Sequence, residues 1–407
     1  MSDPATQAVL APLVAGRADQ PTILFVGGCV RDALLGRSVV DVDMATVHTP
    51  EEVMRRLDEA GIGYHTIGAE HGTVAAHRDG RVFEITTLRV DVETDGRHAR
   101  VAYTDDWALD ASRRDFTINA LYADADGNVF DPLGGMADVE ARRVRFIGDP
   151  NERIEEDALR ILRFFRFHAQ LGEVALDRDG LAACQARAGL LDQLSGERVR
   201  DELFKLLRSS EPASTLRVLQ DRDILKRVLP TGYQISRLAA LVTVEGVADR
   251  ADTLRRLAAL LEGVSPVRQL AERLRLSKSD ASRLRALLER PKSLAPDLTD
   301  DAVRRLLHQT GATYWTDMVL LNWAEAIDRD AEAARPWTER WMYLTRWLVE
   351  APVPTFPIRG ADVLDLGVPQ GPEVSRLLKA VEDWWIESDF LVDRKACLAE
   401  LVRRVGR

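Results

Sequence analysis

The sequence is poor in cysteine and in histidine. Its 407 residues include three cysteines, Cys29, Cys184 and Cys397, and no CxxC pair. A small, odd number of scattered cysteines excludes a disulfide scaffold and a cysteine-based zinc site. Six of the seven histidines precede residue 170, and only His308 follows. We therefore expect no histidine-rich metal hydrolase site in the C-terminal half.

Long apolar runs and a surplus of positive charge are also missing. No run of 18 apolar residues occurs, so the sequence predicts no membrane-spanning segment. The N-terminal residues lack the basic start and apolar core of a signal peptide, and we expect a cytoplasmic protein in a reducing environment. The formal net charge of −10 excludes a bulk nucleic-acid coat. It leaves RNA binding open, because local basic stripes matter more than the net charge.

What is present predicts a folded chain with two kinds of architecture. Hydrophobic residues make up 46% and charged residues 29%, as in ordinary globular proteins. Before residue 145, short apolar or alternating segments predict strands over 22–26, 39–46, 72–78 and 81–89. The polar segment 91–106 predicts a mobile loop, and RRDFTINALY predicts a helix. Beyond residue 145, apolar residues recur every three or four positions, which is typical of stacked amphipathic helices.

Two aspartates, Asp41 and Asp43, lie in the predicted strand VVDVDMAT. Residues i and i+2 of a strand point to one face, with Cα atoms about 6.6 Å apart. Two carboxylates placed in this way can bind a pair of divalent ions that stabilise the attacking and leaving oxygens in phosphoryl transfer. Hard oxygen ligands select Mg²⁺ rather than zinc. The alternative is a pair of solvated strand residues, which is the commoner case for an isolated DxD pattern.

Gly27 and Gly28 follow a predicted buried strand and precede a short helix. Without Cβ atoms the backbone can approach a triphosphate closely, and a helix N-terminus presents N–H groups to it. Arg31, one turn further on, could contact the same phosphates. An isolated Gly-Gly is more often an ordinary turn between strand and helix. Here, however, the order of elements brings a candidate phosphate-binding turn beside the strand that bears the aspartates.

A third carboxylate, Glu84, lies on the predicted strand RVFEITTLR. Phe83 and Ile85 share the apolar face of that strand, and Glu84 lies on the opposite, polar face. Glu84 could complete a metal site from a neighbouring strand. The alternatives are a glutamate that faces solvent, or Glu70 as the third ligand.

Several motifs, in this order, resemble those of the class II tRNA nucleotidyltransferases, the CCA-adding enzymes related to bacterial poly(A) polymerases. They are FVGGCVRDALLG followed by DVDMAT, then EITTLR, RRDFTINALY and RIEEDALRILRFFRF. The resemblance is strong over about residues 22–170 and continues into SGERVRDELFKLL; IRGADVLDLGVPQGPEVSRLL is similar to a segment of the family's tail. It implies an α+β fold: a polymerase-β-like nucleotidyltransferase head with a mixed sheet (1–145), followed by an elongated all-α neck (146–212), body (213–350) and tail (351–407).

The resemblance also implies a site. Asp41 and Asp43 match the family's metal-binding pair, and Glu84 falls at its third carboxylate. Gly28 and Arg31 match residues that contact the triphosphate. Further positions match residues that in the family contact the nucleotide or lie beside its sugar: Arg114, Asp115, Asn119, Asp157, Arg160, Arg163 and Arg166.

Asp157 and Arg160, in the motif EDALRILRFFRF, are three residues apart on a predicted helix, so we expect them to face one way. A carboxylate only accepts hydrogen bonds and a guanidinium only donates them. Cytosine and adenine each present an amine beside a ring-nitrogen acceptor, whereas uracil and guanine present the opposite pattern. Since each mispaired buried group costs roughly 1–3 kcal/mol, one fixed pair could admit CTP and ATP and reject UTP and GTP. The alternative is a surface ion pair.

The expected activity is template-independent addition of C, C and A to tRNA 3′ ends, with Mg²⁺ as cofactor, CTP and ATP as substrates, and tRNA bound at its 3′ end and elbow. Arg394-Lys395 and Arg403-Arg404 are candidate phosphate contacts near the elbow, or else parts of an ordinary solvated helix. The segment 91–106 is a candidate for resetting the pocket between C and A. The alternatives are a poly(A) polymerase, a specialised CC-adding or A-adding enzyme, and a catalytically inactive RNA-binding scaffold.

Overall fold

The computed structural model describes residues 3–14, 20–67, 72–95, 98–172, 175–229, 232–263, 267–289 and 294–406, and it describes side chains outside residues 91–101. The chain forms two compact units, Met1–Pro230 with Glu272–Arg275, and Thr231–Ala271 with Leu276–Arg407. No helix in the described ranges is long and apolar enough to cross a membrane. The finer division into head, neck, body and tail stays a prediction.

The strands of the first unit form a mixed sheet and a separate ribbon. In chain order the described strands are β1 (Ile23–Val26), β2 (Val42–Thr46), β3 (Gly63–Ile67), β4 (Thr73–Arg78), β5 (Arg81–Thr87), β6 (Arg89–Asp95), β7 (His98–Tyr103), β8 (Tyr122–Ala123) and β9 (Val129–Phe130). Seven of them form a sheet in the order β3-β4-β5-β2-β1-β8-β9. Strands β2 and β5 run parallel, and the other neighbours are antiparallel. The predicted mixed sheet is thus confirmed.

The helices of the first unit flank the sheet and then continue the chain. They are α1 (Pro4–Val14), α2 (Gly28–Leu34), α3 (Pro50–Glu59), α4 (Trp107–Ser112), α5 (Gly135–Glu140), α6 (Pro150–Glu156), α7 (Leu159–Leu171), α8 (Arg178–Ala186), α9 (Gly196–Leu207), α10 (Pro212–Asp221) and α11 (Leu225–Val228).

Both faces of the sheet are covered near β1 and β2. On one face a row of register partners, Phe25, Met44, Ile85 and Val74, is at most 1% exposed. On the other face Leu24, Val26 and Ala45 join a buried cluster with Trp107 and Ala111 of α4. Because successive strand residues alternate between faces, the polar residues between these apolar ones are held in fixed directions.

The prediction of a loop over 91–106 was wrong for residues 91–95 and 98–103, which lie in strands. Strands β6 and β7 pair in antiparallel fashion from Arg89 opposite Tyr103 to Asp95 opposite His98, with an irregularity between Asp91 and Glu93. A two-stranded ribbon is held by main-chain hydrogen bonds and need not bury one face. Hydrophobic periodicity therefore gives no signal for it.

The helix predicted through RRDFTINALY was also wrong. Helix α4 ends at Ser112, Phe116 is extended with φ −130° and ψ 148°, and only Thr117–Asn119 forms a single 3₁₀ turn before β8. Phe116, Ile118 and Leu121 are all fully buried. Because apolar residues here are buried whatever direction they point in, their spacing does not distinguish a helix from a folded turn.

The remaining helices confirm the predicted all-α character beyond residue 145. They are α12 (Ile235–Ala248), α13 (Thr253–Leu260), α14 (Val267–Arg273), α15 (Lys278–Leu288), α16 (Asp300–Thr310), α17 (Ala312–Arg329), α18 (Ala331–Ala334), α19 (Thr338–Glu350), α20 (Gly360–Leu364), α21 (Pro372–Glu387) and α22 (Arg394–Val405).

The last helices of the second unit enclose their own hydrophobic cluster, which includes Val363, Val381, Trp385 and Cys397. The basic residues proposed for tRNA contact all lie on α22, and three of them form ion pairs. Arg394 bonds Asp362 over 2.5 Å, and both Arg403 and Arg404 bond Glu400. Their guanidinium groups have intramolecular partners in this structure, and a role in tRNA binding stays a prediction.

Candidate active site

One cavity of about 810 Å³ in the first unit is lined by every residue that the sequence analysis retained as a site candidate. These residues are Gly27, Gly28, Arg31, Asp41, Asp43, Glu84, Arg114, Asp115, Asn119, Asp157, Arg160, Arg163 and Arg166. The competing carboxylate Glu70 lies outside the described residues. The structure thus brings together motifs from the sheet, the 3₁₀ turn and α7.

Gly27 turns the chain from β1 into α2. Its φ of +74° and ψ of −122° form a conformation that residues with a Cβ rarely adopt. One turn later, the guanidinium of Arg31 donates to Asn119 Oδ1 over 2.7 Å and to Asp32 Oδ1 over 2.9 Å. Arg31 is only 7% exposed, so its position beside the glycine turn is fixed by the 3₁₀ turn that carries Asn119.

The carboxylates lie on neighbouring strands. Asp43 of β2 and Glu84 of β5 are register partners on parallel strands, so their side chains leave the same face of the sheet. Strand β2 begins only at Val42, and Asp41 lies at the bend before it with an exposed side chain. The prediction that both aspartates lie on one strand was therefore wrong, although Asp41 still lines the cavity.

The electrostatics of the carboxylates fit a divalent cation. Burial, reinforced by the nearby carboxylates of Glu84 and Asp41, raises the pKa of Asp43 to about 6. Within the described part of the chain, no group of three His, Cys, Asp or Glu side chains is close enough together to hold a metal ion as it stands. Oxygen donors that repel one another across an open cavity are nevertheless what a hard cation neutralises. Asp41, Asp43 and Glu84 are the residues that would hold it.

Asp115 connects the 3₁₀ turn to α7. Its Oδ1 accepts the backbone N–H of Phe116 over 2.9 Å and the amide of Asn119 over 3.0 Å. Its Oδ2 accepts from Arg163 Nε over 2.7 Å. Burial alone would raise the pKa of Asp115, but the Arg163 guanidinium and the Asn119 amide lower it below the usual range. Asp115 is therefore an anion that aligns two other residues of the cavity.

Arg114 is held by a buried acid that the sequence analysis did not single out. Asp110 is 1% exposed, accepts from Arg114 Nη2 over 2.9 Å and accepts from the Tyr122 hydroxyl over 2.8 Å. Burial opposes ionisation of Asp110, yet Arg114 and Arg113 lower its pKa. The signal was present as an i,i+4 Asp–Arg spacing, but such pairs are usually on the surface.

Asp157 and Arg160 line the same cavity but do not share a helix, so that prediction was wrong. Helix α6 ends before Asp157, which caps it with φ −151° and ψ 104°, and α7 begins at Leu159. Asp157 Oδ1 accepts the backbone N–H of Leu159 over 3.1 Å. Arg160 donates to Glu156 Oε2 over 2.5 Å and to the carbonyl of Arg153 over 2.8 Å. The two side chains are therefore positioned by separate contacts.

Helix α9 adds three charged residues that the sequence analysis missed as site residues. Arg198 donates to Asp157 Oδ2 over 2.8 Å. Glu202 is 3% exposed and accepts from Arg166 Nε over 2.5 Å and from Lys205 Nζ over 3.2 Å. The guanidinium of Arg166 also lies 3.8 Å from the ring centroid of Phe167. Lys205 lines the cavity, whereas Arg198 and Glu202 contact residues that line it. No local pattern in SGERVRDELFKLL shows these contacts.

Comparison with known proteins supports this assignment of the fold. The model of the poly(A) polymerase head domain matches residues 23–145, and that of the probable RNA and SrmB-binding site of polymerase A matches residues 174–234. The chain is 33% identical over 385 residues to the mitochondrial CCA tRNA nucleotidyltransferase 1 of Mus musculus, covering 92% of this chain and 85% of the relative.

Two bacterial proteins extend the comparison. The CCA-adding enzyme of Geobacillus thermodenitrificans is 33% identical over 396 residues, which cover 93% of this chain and 92% of that enzyme. The crystal structure of the Bacillus stearothermophilus CCA-adding enzyme in complex with CTP is 28% identical, with a TM-score of 0.75 over 99% of this chain and 98% of that one.

A mixed-sheet head with a carboxylate-lined cavity, matched by the poly(A) polymerase head domain, defines a nucleotidyltransferase. The chain belongs to the family of CCA-adding tRNA nucleotidyltransferases. Nucleotidyltransferases of this family generally use divalent metal ions.

Proposed function

We propose that this protein adds C, C and A to the 3′ ends of tRNA without a nucleic-acid template, using CTP and ATP and releasing pyrophosphate. The observation that carries the proposal is a single cavity lined both by Asp43 and Glu84 and by Asp157 and Arg160. The first pair suits phosphoryl chemistry, and the second suits recognition of a base edge. Relatives named CCA-adding enzymes over nearly the full chain lengths support it.

The reaction joins a tRNA 3′-hydroxyl to the α-phosphorus of the nucleotide. A bond forms between the hydroxyl oxygen and the α-phosphorus, and the bond to the oxygen that bridges to the β-phosphate breaks. Pyrophosphate leaves, and the hydroxyl proton passes to one of the cavity carboxylates. Mg²⁺ ions held by Asp41, Asp43 and Glu84 would stabilise charge on the attacking and leaving oxygens.

The other cavity residues would bind and orient the nucleotide. The turn at Gly27-Gly28 and the Arg31 guanidinium suit the triphosphate, since the glycines permit close approach of the backbone. Asn119, Asp115 and Arg114 would contact the remainder of the nucleotide. Positioning of this kind accounts for much of the catalysis in phosphoryl transfer, because the protein makes few covalent contributions of its own.

Base choice would rest on Asp157 and Arg160. The Asp157 carboxylate can accept from the exocyclic amine of cytosine or adenine, and Arg160 can donate to the adjacent ring nitrogen. Uracil and guanine offer a carbonyl and an N–H in those places and leave both side chains mispaired. To donate to a base, Arg160 would have to share or exchange its present bonds to Glu156 and the Arg153 carbonyl.

The experiment that tests the proposal is incubation of the full chain with a tRNA that lacks its 3′ CCA, with each labelled nucleoside triphosphate in turn and with CTP and ATP together. Incorporation of two C residues and one A residue, with a stop at CCA, supports the proposal. Long A tails would identify a poly(A) polymerase. Incorporation that ends after CC, or that requires a tRNA already ending in CC, would identify a specialised enzyme. No incorporation would indicate an inactive RNA-binding scaffold.

The choice of metal and the location belong to the same proposal. We propose Mg²⁺ because the donors are carboxylate oxygens, and Mn²⁺, Ca²⁺ and Zn²⁺ in the same assay test it. We propose a cytoplasmic location, although the Mus musculus relative is named as mitochondrial. Fractionation of the source cells with an antibody to this chain would decide the location.

A further inference from the structure

Helix α9 presents two oppositely charged side chains, one turn apart, to the base-selecting segment, which we define as residues 157–166. Arg198 donates to Asp157, and Glu202 accepts from Arg166. The i,i+4 spacing puts Arg198 and Glu202 on the same face of α9. Each is opposite in charge to its partner, so α9 complements the charge pattern of the segment that would contact the base.

Two hydrogen bonds between described residues hold the carboxylate of Asp157. It lies between α6 and α7 in an extended conformation, so its side chain is placed by the hydrogen bonds that it accepts. The Leu159 backbone N–H bonds Oδ1, and Arg198 Nη2 bonds Oδ2. A carboxylate offers about four acceptor sites, so capacity remains for the amine of a base while both protein donors stay in place.

We infer that Arg198 is a positioning residue for base selection, which acts through Asp157 rather than on the nucleotide. By holding Oδ2 from α9, Arg198 directs the free acceptor sites of the carboxylate toward the base edge. This inference rests on the proposed function. A carboxylate released from Arg198 keeps its charge but can turn away from the base edge. It then accepts less well from the amine of cytosine or adenine and repels the carbonyl oxygen of uracil or guanine less. The preference for CTP and ATP over UTP and GTP therefore falls, because the correct bases bind less well and the wrong bases are rejected less strongly.

The predicted effect differs from that of a residue that only supports the fold. Arg198 has a side chain that is 45% exposed, so its truncation leaves no cavity in the core. Loss of the hydrogen bond between Arg198 and Asp157 should weaken the contact of Asp157 with the base, and so raise KM for CTP and ATP more than it lowers kcat. The ratio of kcat/KM for CTP to that for UTP should fall about tenfold.

The experiment measures kcat/KM for all four nucleotides, on a tRNA that lacks CCA, with the full-length wild-type chain and the variants Arg198→Ala, Arg198→Lys, Asp157→Ala and the double variant. Arg208→Ala is the matched control, because Arg208 caps the C-terminus of the same helix and its side chain donates to the carbonyl of Phe204 in that helix. We expect the CTP:UTP preference to fall about tenfold in Arg198→Ala, to be partly recovered in Arg198→Lys, and to match the wild type in Arg208→Ala.

The double variant separates a positioning role from a structural one. If Arg198 acts through Asp157, the double variant should discriminate no worse than Asp157→Ala alone. Additive losses, or an equal loss of kcat/KM for all four nucleotides, would overturn the inference, as would an unchanged CTP:UTP ratio in Arg198→Ala. A wild-type chain that adds neither C nor A overturns the proposed function and this inference with it. If the wild-type chain completes CCA and Arg198→Ala keeps the wild-type ratio of kcat/KM for CTP to that for UTP, only the inference is overturned.

Discussion

Asp43 of β2 lies directly opposite Glu84 of β5, on two strands that run parallel. A slip of one residue in this pairing would turn one of the two carboxylates to the opposite face of the sheet. The register is held by the apolar partners on either side, Val42 opposite Phe83 and Met44 opposite Ile85, all of them buried. The chemistry of the cavity therefore depends on core packing one residue away.

Replacing Asp43 with Asn should separate activity from stability. We expect nucleotide incorporation to fall roughly 100-fold or more, as for other single electrostatic contributors to a transition state. Because the pKa of Asp43 is raised to about 6 in the folded chain, ionised Asp43 opposes folding at neutral pH. In metal-free buffer, the free energy of unfolding of the variant, measured with urea, should then be about 1–3 kcal/mol higher than that of the wild type. Asp126→Asn, in the exposed turn before β9, should change neither quantity.

Removal of divalent cations should abolish incorporation reversibly. A chelator such as EDTA leaves the carboxylates of Asp41, Asp43 and Glu84 without the positive charge that suits them, and added Mg²⁺ should restore the rate. The same chelator should leave the circular dichroism spectrum unchanged, because the sheet register does not depend on a metal. Full activity in metal-free buffer would contradict the assignment of the three carboxylates.

Replacing Gly135 with Ala should disturb the cavity from a distance. A Cβ atom at Gly135 would lie 2.3 Å from the carbonyl oxygen of Thr117, so the 3₁₀ turn that carries Asn119 must shift. We expect a loss of about 1–3 kcal/mol in the free energy of unfolding and a reduced rate of incorporation. Gly189→Ala is the control in the same unit, since no atom lies within 4 Å of its added Cβ. Equal stabilities of the two variants would contradict the argument.

Replacing Glu202 with Gln should weaken the support of Arg166. Glu202 is almost fully buried between Arg166 and Lys205, and hydrogen bonds to charged groups contribute about 1.5–3 kcal/mol. We expect the free energy of unfolding to fall by about 2 kcal/mol. Glu197→Gln, an exposed change on the same helix, should stay within about 0.5 kcal/mol of the wild type. Urea unfolding of both variants makes the comparison.

The ion pair of Asp115 should appear in the pH dependence of stability. Its pKa is lower in the folded chain than the ordinary 3.8, so the unfolded chain binds this proton more readily. The stabilisation is complete above the unfolded pKa and is lost as pH falls through the lower, folded pKa. The difference in unfolding free energy between wild type and Asp115→Asn should be constant from pH 7 to 5 and shrink below pH 4. If the free energies of unfolding of the two proteins differed by the same amount at every pH, the assignment of a lowered pKa to Asp115 would be contradicted.

Features that depend on local geometry were predictable from the sequence. Gly27 was singled out with Gly28 because a backbone without Cβ atoms between a strand and a helix can approach a triphosphate closely, and the structure gives Gly27 a positive φ at that turn. The face of Glu84 followed from simple alternation along β5, whose apolar neighbours Phe83 and Ile85 are buried. In both cases the information lies within a few residues of the position concerned.

Features that depend on distant partners were not predictable. Asp157 was expected on the helix of Arg160, but it lies between α6, which ends at Glu156, and α7, which carries Arg160. Its carboxylate bonds Arg198, 41 residues further along the chain. Glu202 bonds Arg166, 36 residues before it. A charged residue in an amphipathic helix looks the same whether it faces solvent or a cavity, because only the tertiary fold decides which.

The three cysteines lie in three different helices, α2, α8 and α22, and Cys29, Cys184 and Cys397 are each at most 3% exposed. Burial raises the pKa of all three thiols, so each should react with an alkylating reagent only after its own surroundings open. The natural chain thus carries an intrinsic set of chemical reporters. Mass spectrometry of timed alkylation would give three opening rates from one sample of the unmutated chain: beside the candidate active site at Cys29, in α8 at Cys184 and in the C-terminal cluster at Cys397.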